Sequence, residues 1–209
     1  ALADDTVALH DPELSDDPDR DRAAVEAVAE RQSSLVARWM QVGFIHGVMN
    51  TDNMTVSGET IDFGPCAFMD EYDPAAVYSF IDRRGRYAYG NQPNILQWNL
   101  ARLAETLLPL IDADEGQAIE RATASLQGVS ARFDRHWLAG FRRKLGLSVQ
   151  EDGDRALVTD LLAVMHAEAA DFTNTYRALA DAATDDAALP ASFSAWMQHW
   201  RERLAREPG

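Results

Sequence analysis

The chain has 209 residues, 34 acidic against 19 basic side chains, a formal net charge of −15 and 46% hydrophobic residues. That length and apolar content suit one globular domain with a sizeable core. The charge argues against attraction to nucleic acid or to an anionic membrane, whose phosphates it repels. No apolar run approaches the ~18 residues that a membrane-spanning helix needs.

The lone cysteine, Cys66, rules out an internal disulfide framework and fits a reducing compartment. With the acidic composition it sets the expectation of a bacterial cytoplasmic location. The first residues are acidic and lack the apolar segment of a signal peptide. They also lack an initiator Met, so the expectation is a piece of a longer protein.

Residues 4–21 are rich in Asp and Pro and predict a short element followed by an exposed loop through Asp11-Pro12 and Asp17-Pro18. From Arg22 to Val42 the apolar period turns helical, with Val25, Val28, Leu35 and Trp39 at three- and four-residue steps. Asp19 or Asp21 suits its N-terminus, and Gly43 stops it. Met54-Thr55-Val56 and Thr60-Ile61 read as short strands joined by Ser57-Gly58-Glu59 in a tight hairpin. Residues 66–92 carry Pro74, Gly85 and Gly90 without a long period, which predicts an irregular segment with one helical turn near Pro74–Phe80.

Pro93 opens a helix whose apolar face runs Ile95, Leu96, Leu100, Leu103, Leu107 and Leu110. Further helices are predicted over Asp112–Leu126, over Ser130–Leu145 with Phe133, Trp137 and Phe141 at four-residue steps, and from Glu151 through Met165 to Leu179. Thr184–Pro190 reads as a linker and Ser192–Arg206 as the last helix. The aromatic stripes are core. The fold class is therefore mainly α: residues 1–209 as a single helical domain, with the polar stretch 43–74 on one short β-hairpin held by the helices.

That stretch concentrates the candidate chemistry. Asn53 and Asp62 are both hard oxygen donors. Such a pair suits Mg²⁺, with Mn²⁺ as the alternative ion, because Mg²⁺ takes few protein ligands and fills its shell with water and phosphate oxygens. Asp52 is placed to take a proton from an attacking hydroxyl. Taken singly, Asp52 and Asn53 also fit a turn cap and Asp62 a loop hydrogen bond. It is the joint pattern, loop carboxylate and amide, hairpin, then Asp62-Phe63-Gly64, that favours catalysis. Asp-Phe-Gly after a short strand is a protein-kinase pattern, and His46 precedes Asn53 by the kinase interval. The position of the ordinary kinase base is Val48, which accepts no proton. Cys66 is read as a small buried filler. His46 is read as orienting the backbone, and Asn91 and Gln92 as bonding the loop. The run Arg83-Arg84-Gly85-Arg86 either meets phosphate or an acidic substrate segment or pairs with neighbouring Asp.

The segments HGVMNTDNMTVSGETIDFGPCAFMDEYDP and IDRRGRYAYGNQPNILQWNLARLAETLLPLI closely resemble the selenoprotein O family, also known as protein adenylyltransferases. The resemblance runs almost continuously from His46 to Ile111. It implies the helical C-terminal lobe of a protein-kinase-like fold that binds ATP in reversed orientation and moves AMP onto Ser, Thr or Tyr hydroxyls of protein substrates. On it, Asp52 matches the family's proton acceptor and Asn53 and Asp62 its Mg²⁺ ligands, with Asp62 also near the nucleotide. The family's upstream Gly-rich stretch and phosphate-binding Lys are not recognisable here; Lys144 is the only lysine. The expectation is thus half an active site, with little activity in isolation. The competing expectations are an atypical kinase moving the γ-phosphate and a non-catalytic helical interaction module.

Overall fold

Valines and small residues spaced along one face make residues 20–41 the axis of the structure. The computed structural model describes residues 2–208. Its longest helix, α2 (Arg20–Gln41), buries Val25, Val28, Ala29, Val36, Ala37, Trp39 and Met40. Preceding it, α1 (Leu2–His10) is a nine-residue helix where only a short element was expected, and a 3-10 turn follows at Pro12–Leu14. The loop there is not wholly exposed: Asp11 is buried and takes a two-pronged bond from Arg31 (2.5 and 2.9 Å). Asp19 does occupy the N-cap of α2, but its side chain does not cap; its carboxylate pairs with Arg22 and Arg121 instead. Gly43, at φ +70°, turns the chain out of the helix as expected.

Five more helices complete the scaffold after the polar stretch: α3 (Gln92–Ile111), α4 (Glu115–Gln127), α5 (Val129–Lys144), α6 (Asp154–Ala167) and α7 (Phe172–Ala182), before the last, α8 (Ser194–Leu204). Pro93 lies in the first turn of α3 and Asp114 caps α4 by accepting from Gln117 N–H at 2.9 Å. Helix α2 packs most extensively on α5, and Gly140 of α5 makes room there for the Gln41 side chain, which donates to the His136 carbonyl at 3.0 Å. Leu110, expected on the apolar face of α3, is instead half exposed.

Three expectations fail in the structure. The single helix predicted to Leu179 is two helices, broken at Ala169, which sits at φ +47°. The break is occupied by another part of the chain: Tyr72 N–H donates to Ala170 O (2.9 Å) and Phe172 N–H to Asp70 O (2.6 Å). Asp171 then caps α7 through Asn174 N–H at 2.7 Å. The predicted hairpin is also not a ladder, since Met54 and Thr60 form one isolated bridge. The two-stranded antiparallel sheet lies elsewhere, with β1 (Phe44–Ile45) paired to β2 (Ala67–Phe68) in the register Phe44–Phe68 and Ile45–Ala67. No helical turn forms near Pro74–Phe80; the chain bends at Pro74 and regains order in a 3-10 turn at Tyr89–Asn91. The result is mainly helical with one small sheet that closes the base of the loop 46–66.

Candidate active site

Two helices, α2 and α3, reach into this loop with polar groups and fix its backbone, and α5 and α7 brace the chain just before it. From α2, Trp39 Nε1 donates to Thr60 Oγ1 (2.9 Å), Arg31 Nε to Val56 O (2.9 Å) and Gln32 to Thr55 O. From the start of α3, Gln92 accepts from His46 N–H (3.1 Å) and donates to Phe44 O (3.1 Å); further along, Asn99 donates to Met49 O (2.9 Å). Phe172 of α7 packs 3.1 Å from the position a side chain at Gly43 would take, and Lys144 Nζ at the end of α5 donates to Gln41 O (2.6 Å). A loop of this length has many backbone groups to satisfy, and these buried side chains do it.

His46 is fully buried between Trp39 and Phe44, with ring centroids 5.3 and 6.3 Å away. Its Nε2 lies 2.9 Å from Ile61 O, which makes that nitrogen the donor, and its Nδ1 has no partner. Gly47 lies at φ +82° beneath Pro65, where an added Cβ would come 2.8 Å from the Pro65 carbonyl oxygen. The loop before Asp52 and the segment after Asp62 therefore touch backbone to backbone.

Asp52 is exposed in a 3-10 turn, Thr51–Asn53. Asn53 donates from Nδ2 to Val48 O (3.0 Å). Asp62 is exposed, and its backbone is left-handed at φ 51°, a conformation that a short polar side chain tolerates better than most. The isolated Met54–Thr60 bridge closes the turn between them, with Asn53 one residue before it and Asp62 two residues after it. No group of three His, Cys, Asp or Glu side chains capable of holding a metal occurs among the described residues. One amide oxygen and one carboxylate fit a cation that takes most of its shell from water and phosphate, rather than one caged by protein.

Of the remaining sequence candidates, Asn91 Nδ2 bonds Arg86 O (2.6 Å) and Gln92 bonds the loop as described. Cys66 is half-buried rather than buried, its Sγ 3.5 Å from Phe63 O. Lys144 is held over the rings of Tyr176 (4.1 Å) and Phe172 (5.1 Å), and burial pushes its pKa down. Those contacts make it a structural residue that ties α5 to the end of α2 and to α7.

Asn99, Gln32 and Tyr87 were missed by sequence reasoning. Asn99 and Gln32 have a signal: each is a polar residue on an otherwise apolar helical stripe, between Leu96 and Leu103 and between Val28 and Val36. Tyr87, whose hydroxyl donates to Asn50 Oδ1 at 2.5 Å, has none.

A sequence model of the family described as "Protein adenylyltransferase SelO" matches residues 1–205. The chain is 59% identical over 217 aligned residues to the "Protein nucleotidyltransferase YdiU" of Rhizobium johnstonii, covering 100% of this chain and 43% of that protein. It is 60% identical over 210 residues to the protein of the same name from Cereibacter sphaeroides, covering 98% of this chain and 44% of the relative. The chain thus spans less than half the length of the curated relatives it matches. With the family's pattern matched almost end to end and relatives of that family about 59–60% identical over nearly all of this chain, this chain belongs to the SelO family of protein adenylyltransferases.

Proposed function

We propose that the protein to which this chain belongs is a Mg²⁺-dependent protein adenylyltransferase, and that the chain supplies its kinase-like helical lobe with the base and the metal ligands. The observation that carries this reading is the family match over residues 1–205, supported by exposed Asp52 and Asp62 and by Asn53 flanking the turn that the Met54–Thr60 bridge closes.

In this reading a Ser, Thr or Tyr hydroxyl of a protein substrate attacks the α-phosphorus of ATP. Asp52 takes the hydroxyl proton, the new O–P bond forms, and the bond from the α-phosphorus to the bridging oxygen breaks as pyrophosphate leaves with the electron pair. Asn53 and Asp62 would hold Mg²⁺, which would neutralise phosphate charge. The relatives' name, protein nucleotidyltransferase, supports transfer of a nucleotide rather than of a phosphoryl group. Val48 in place of the ordinary kinase base supports the same choice.

Positioning of the phosphates provides most of the catalysis in this chemistry. Among the described residues the one lysine is buried against aromatic rings, so the isolated chain transfers little AMP. The deciding experiment incubates the full-length protein with a protein acceptor and ATP labelled at either the α- or the γ-phosphate. Covalent α-label that is lost in Asp62→Ala is the expected result. Label from the γ position alone identifies an atypical kinase. Unaltered nucleotide binding and no transfer of either label in both proteins identifies an interaction module.

A further inference from the structure

Beside the turn that carries Asp52 lies a surface that the chemistry above does not use. Tyr78, Phe80 and Ile81 are all exposed, Phe80 at 91%. Arg83, Arg84 and Arg86 follow, also exposed, in a chain whose net charge is −15. None of the three forms an ion pair among the described residues, although most other arginines do. The adjacent carboxylate does not neutralise them by direct contact: Asp82 accepts the backbone N–H groups of Arg86 (2.9 Å) and Tyr87 (2.7 Å) and so shapes the loop.

The end of this surface nearest the site is firmly held. The Arg86 guanidinium carbon lies 4.8 Å from the ring centroid of Trp98 on α3, and that of Arg102 lies 5.3 Å from the same ring. Asn91 bonds the Arg86 carbonyl, and the next residue, Tyr87, bonds Asn50, two positions before Asp52. Arg102 already pairs with Glu105, whereas the stacked Arg86 guanidinium has no ion pair among the described residues, and a free guanidinium edge matches a carboxylate in a two-pronged geometry.

From this we infer that residues 78–86, with Trp98 and Arg102, dock a short acidic segment of the protein substrate and bring its hydroxyl toward Asp52. Charge complementarity selects this partner. An extended polyanion such as nucleic acid, or an anionic bilayer, brings its charge against the whole acidic molecule and is repelled. A segment of a few residues meets only the basic surface, and exposed Phe80 and Ile81 give its apolar side chains a place to lie. The inference rests on the adenylyltransferase reading for the purpose of the docking, but the docking itself is measurable without catalysis.

The test uses the full-length protein and four fluorescent probes: a Tyr-containing peptide flanked by Asp and Glu, the same peptide with Lys in their place, a single-stranded DNA oligonucleotide and vesicles of anionic phospholipid. Binding is followed by anisotropy for the first three and by co-sedimentation for the vesicles. The expected result is at least tenfold tighter binding of the acidic than of the basic peptide, weakened by salt and lost or reversed in the double variant Arg83→Glu/Arg84→Glu. The double variant Arg83→Lys/Arg84→Lys keeps the charge and retains most of the preference, which separates the loss of charge from a loss of folding. Equal binding of the two peptides, a preference unchanged by charge reversal, or tighter binding of DNA or vesicles overturns the inference. A parallel assay with α-labelled ATP and both peptides keeps the two readings apart. Acidic-peptide binding with no transfer of label defeats the adenylyltransferase reading alone, and transfer that ignores peptide charge defeats the docking alone.

Discussion

The ring of His46 donates from Nε2 to the carbonyl oxygen of Ile61 at 2.9 Å, one residue before Asp62. The same residue's backbone N–H is held by Gln92, and its ring lies against Trp39. His46 thus joins α2, α3 and the Asp62 segment at one buried point. Replacing it with Ala removes the bond and leaves a cavity, at a cost of about 2–4 kcal/mol. Equilibrium urea unfolding of the chain checks this. In the full-length protein, His46→Ala is expected to lower kcat for AMP transfer more than it raises KM for ATP, because it displaces Asp62 and touches no nucleotide.

Gly47 and Gly153 both have positive φ, at +82° and +95°, but only Gly47 faces an obstacle. Gly153→Ala meets nothing within 4 Å and incurs only the backbone cost of about 1 kcal/mol. Gly47→Ala adds a Cβ 2.8 Å from the Pro65 carbonyl oxygen. Backbone atoms must then move, and the expected cost is about 2–3 kcal/mol or more. Thermal unfolding should show a clearly larger drop in Tm for Gly47→Ala. Equal drops would mean that the contact with Pro65 relaxes without strain.

The roles assigned to Asp52 and Asn53 separate in their dependence on Mg²⁺. Asn53→Ala removes a ligand, so the full-length variant should require several-fold more Mg²⁺ for half-maximal AMP transfer. Asp52→Asn removes a base and should lower the rate by roughly 10²–10⁴-fold at saturating Mg²⁺ while leaving the half-maximal concentration nearly unchanged. A steady-state Mg²⁺ titration of the two variants is sufficient. The same titration profile in both would merge the two roles.

Acid stability is set far from the site, where α6 meets the C-terminal end. Burial works against the charge of Asp154, but Arg203 (2.8 Å), the Glu151 N–H (2.9 Å) and Arg142 (3.0 Å) outweigh it and hold the pKa below the usual carboxylate range. The Ser148 hydroxyl, the N–H groups of Ser148 and Val149, and Arg203 hold Glu207 down to about 2. Both groups bind protons less readily when folded than when unfolded. Their contribution is therefore fully present above the ordinary carboxylate pKa of about 4 and is lost as pH falls through that value toward about 2. Unfolding followed by circular dichroism between pH 6 and pH 2.5 should show this fall, and Glu207→Gln should make it shallower.

Helices α3, α5 and α8 were legible because their faces repeat Leu, Phe or Trp at three- and four-residue steps and their ends carry Pro93 or a polar linker. The candidate site was proposed for another reason. Asp52, Asn53 and Asp62 fall within eleven consecutive residues, so local spacing already suggests which chemistry they share. The break between α6 and α7 was not legible, since the apolar period runs through Ala169 without a proline or glycine. The chain breaks there because residues 70–72 offer hydrogen bonds to Ala170 and Phe172 that a continuous helix cannot accept.

The amino-acid sequence by itself determined a helical scaffold, a polar loop and the family pattern within it, since each of these depends on residues close together along the chain. Only the tertiary structure decided that the 54–60 turn is a single bridge, that the sheet is Phe44–Ile45 with Ala67–Phe68, and that Gln32, Asn99 and Tyr87 brace the loop from elements as far as 50 residues away. Those partners are chosen by the need to satisfy buried backbone groups. Which side chain meets that need depends on how the helices pack, and that is not written in any local stretch.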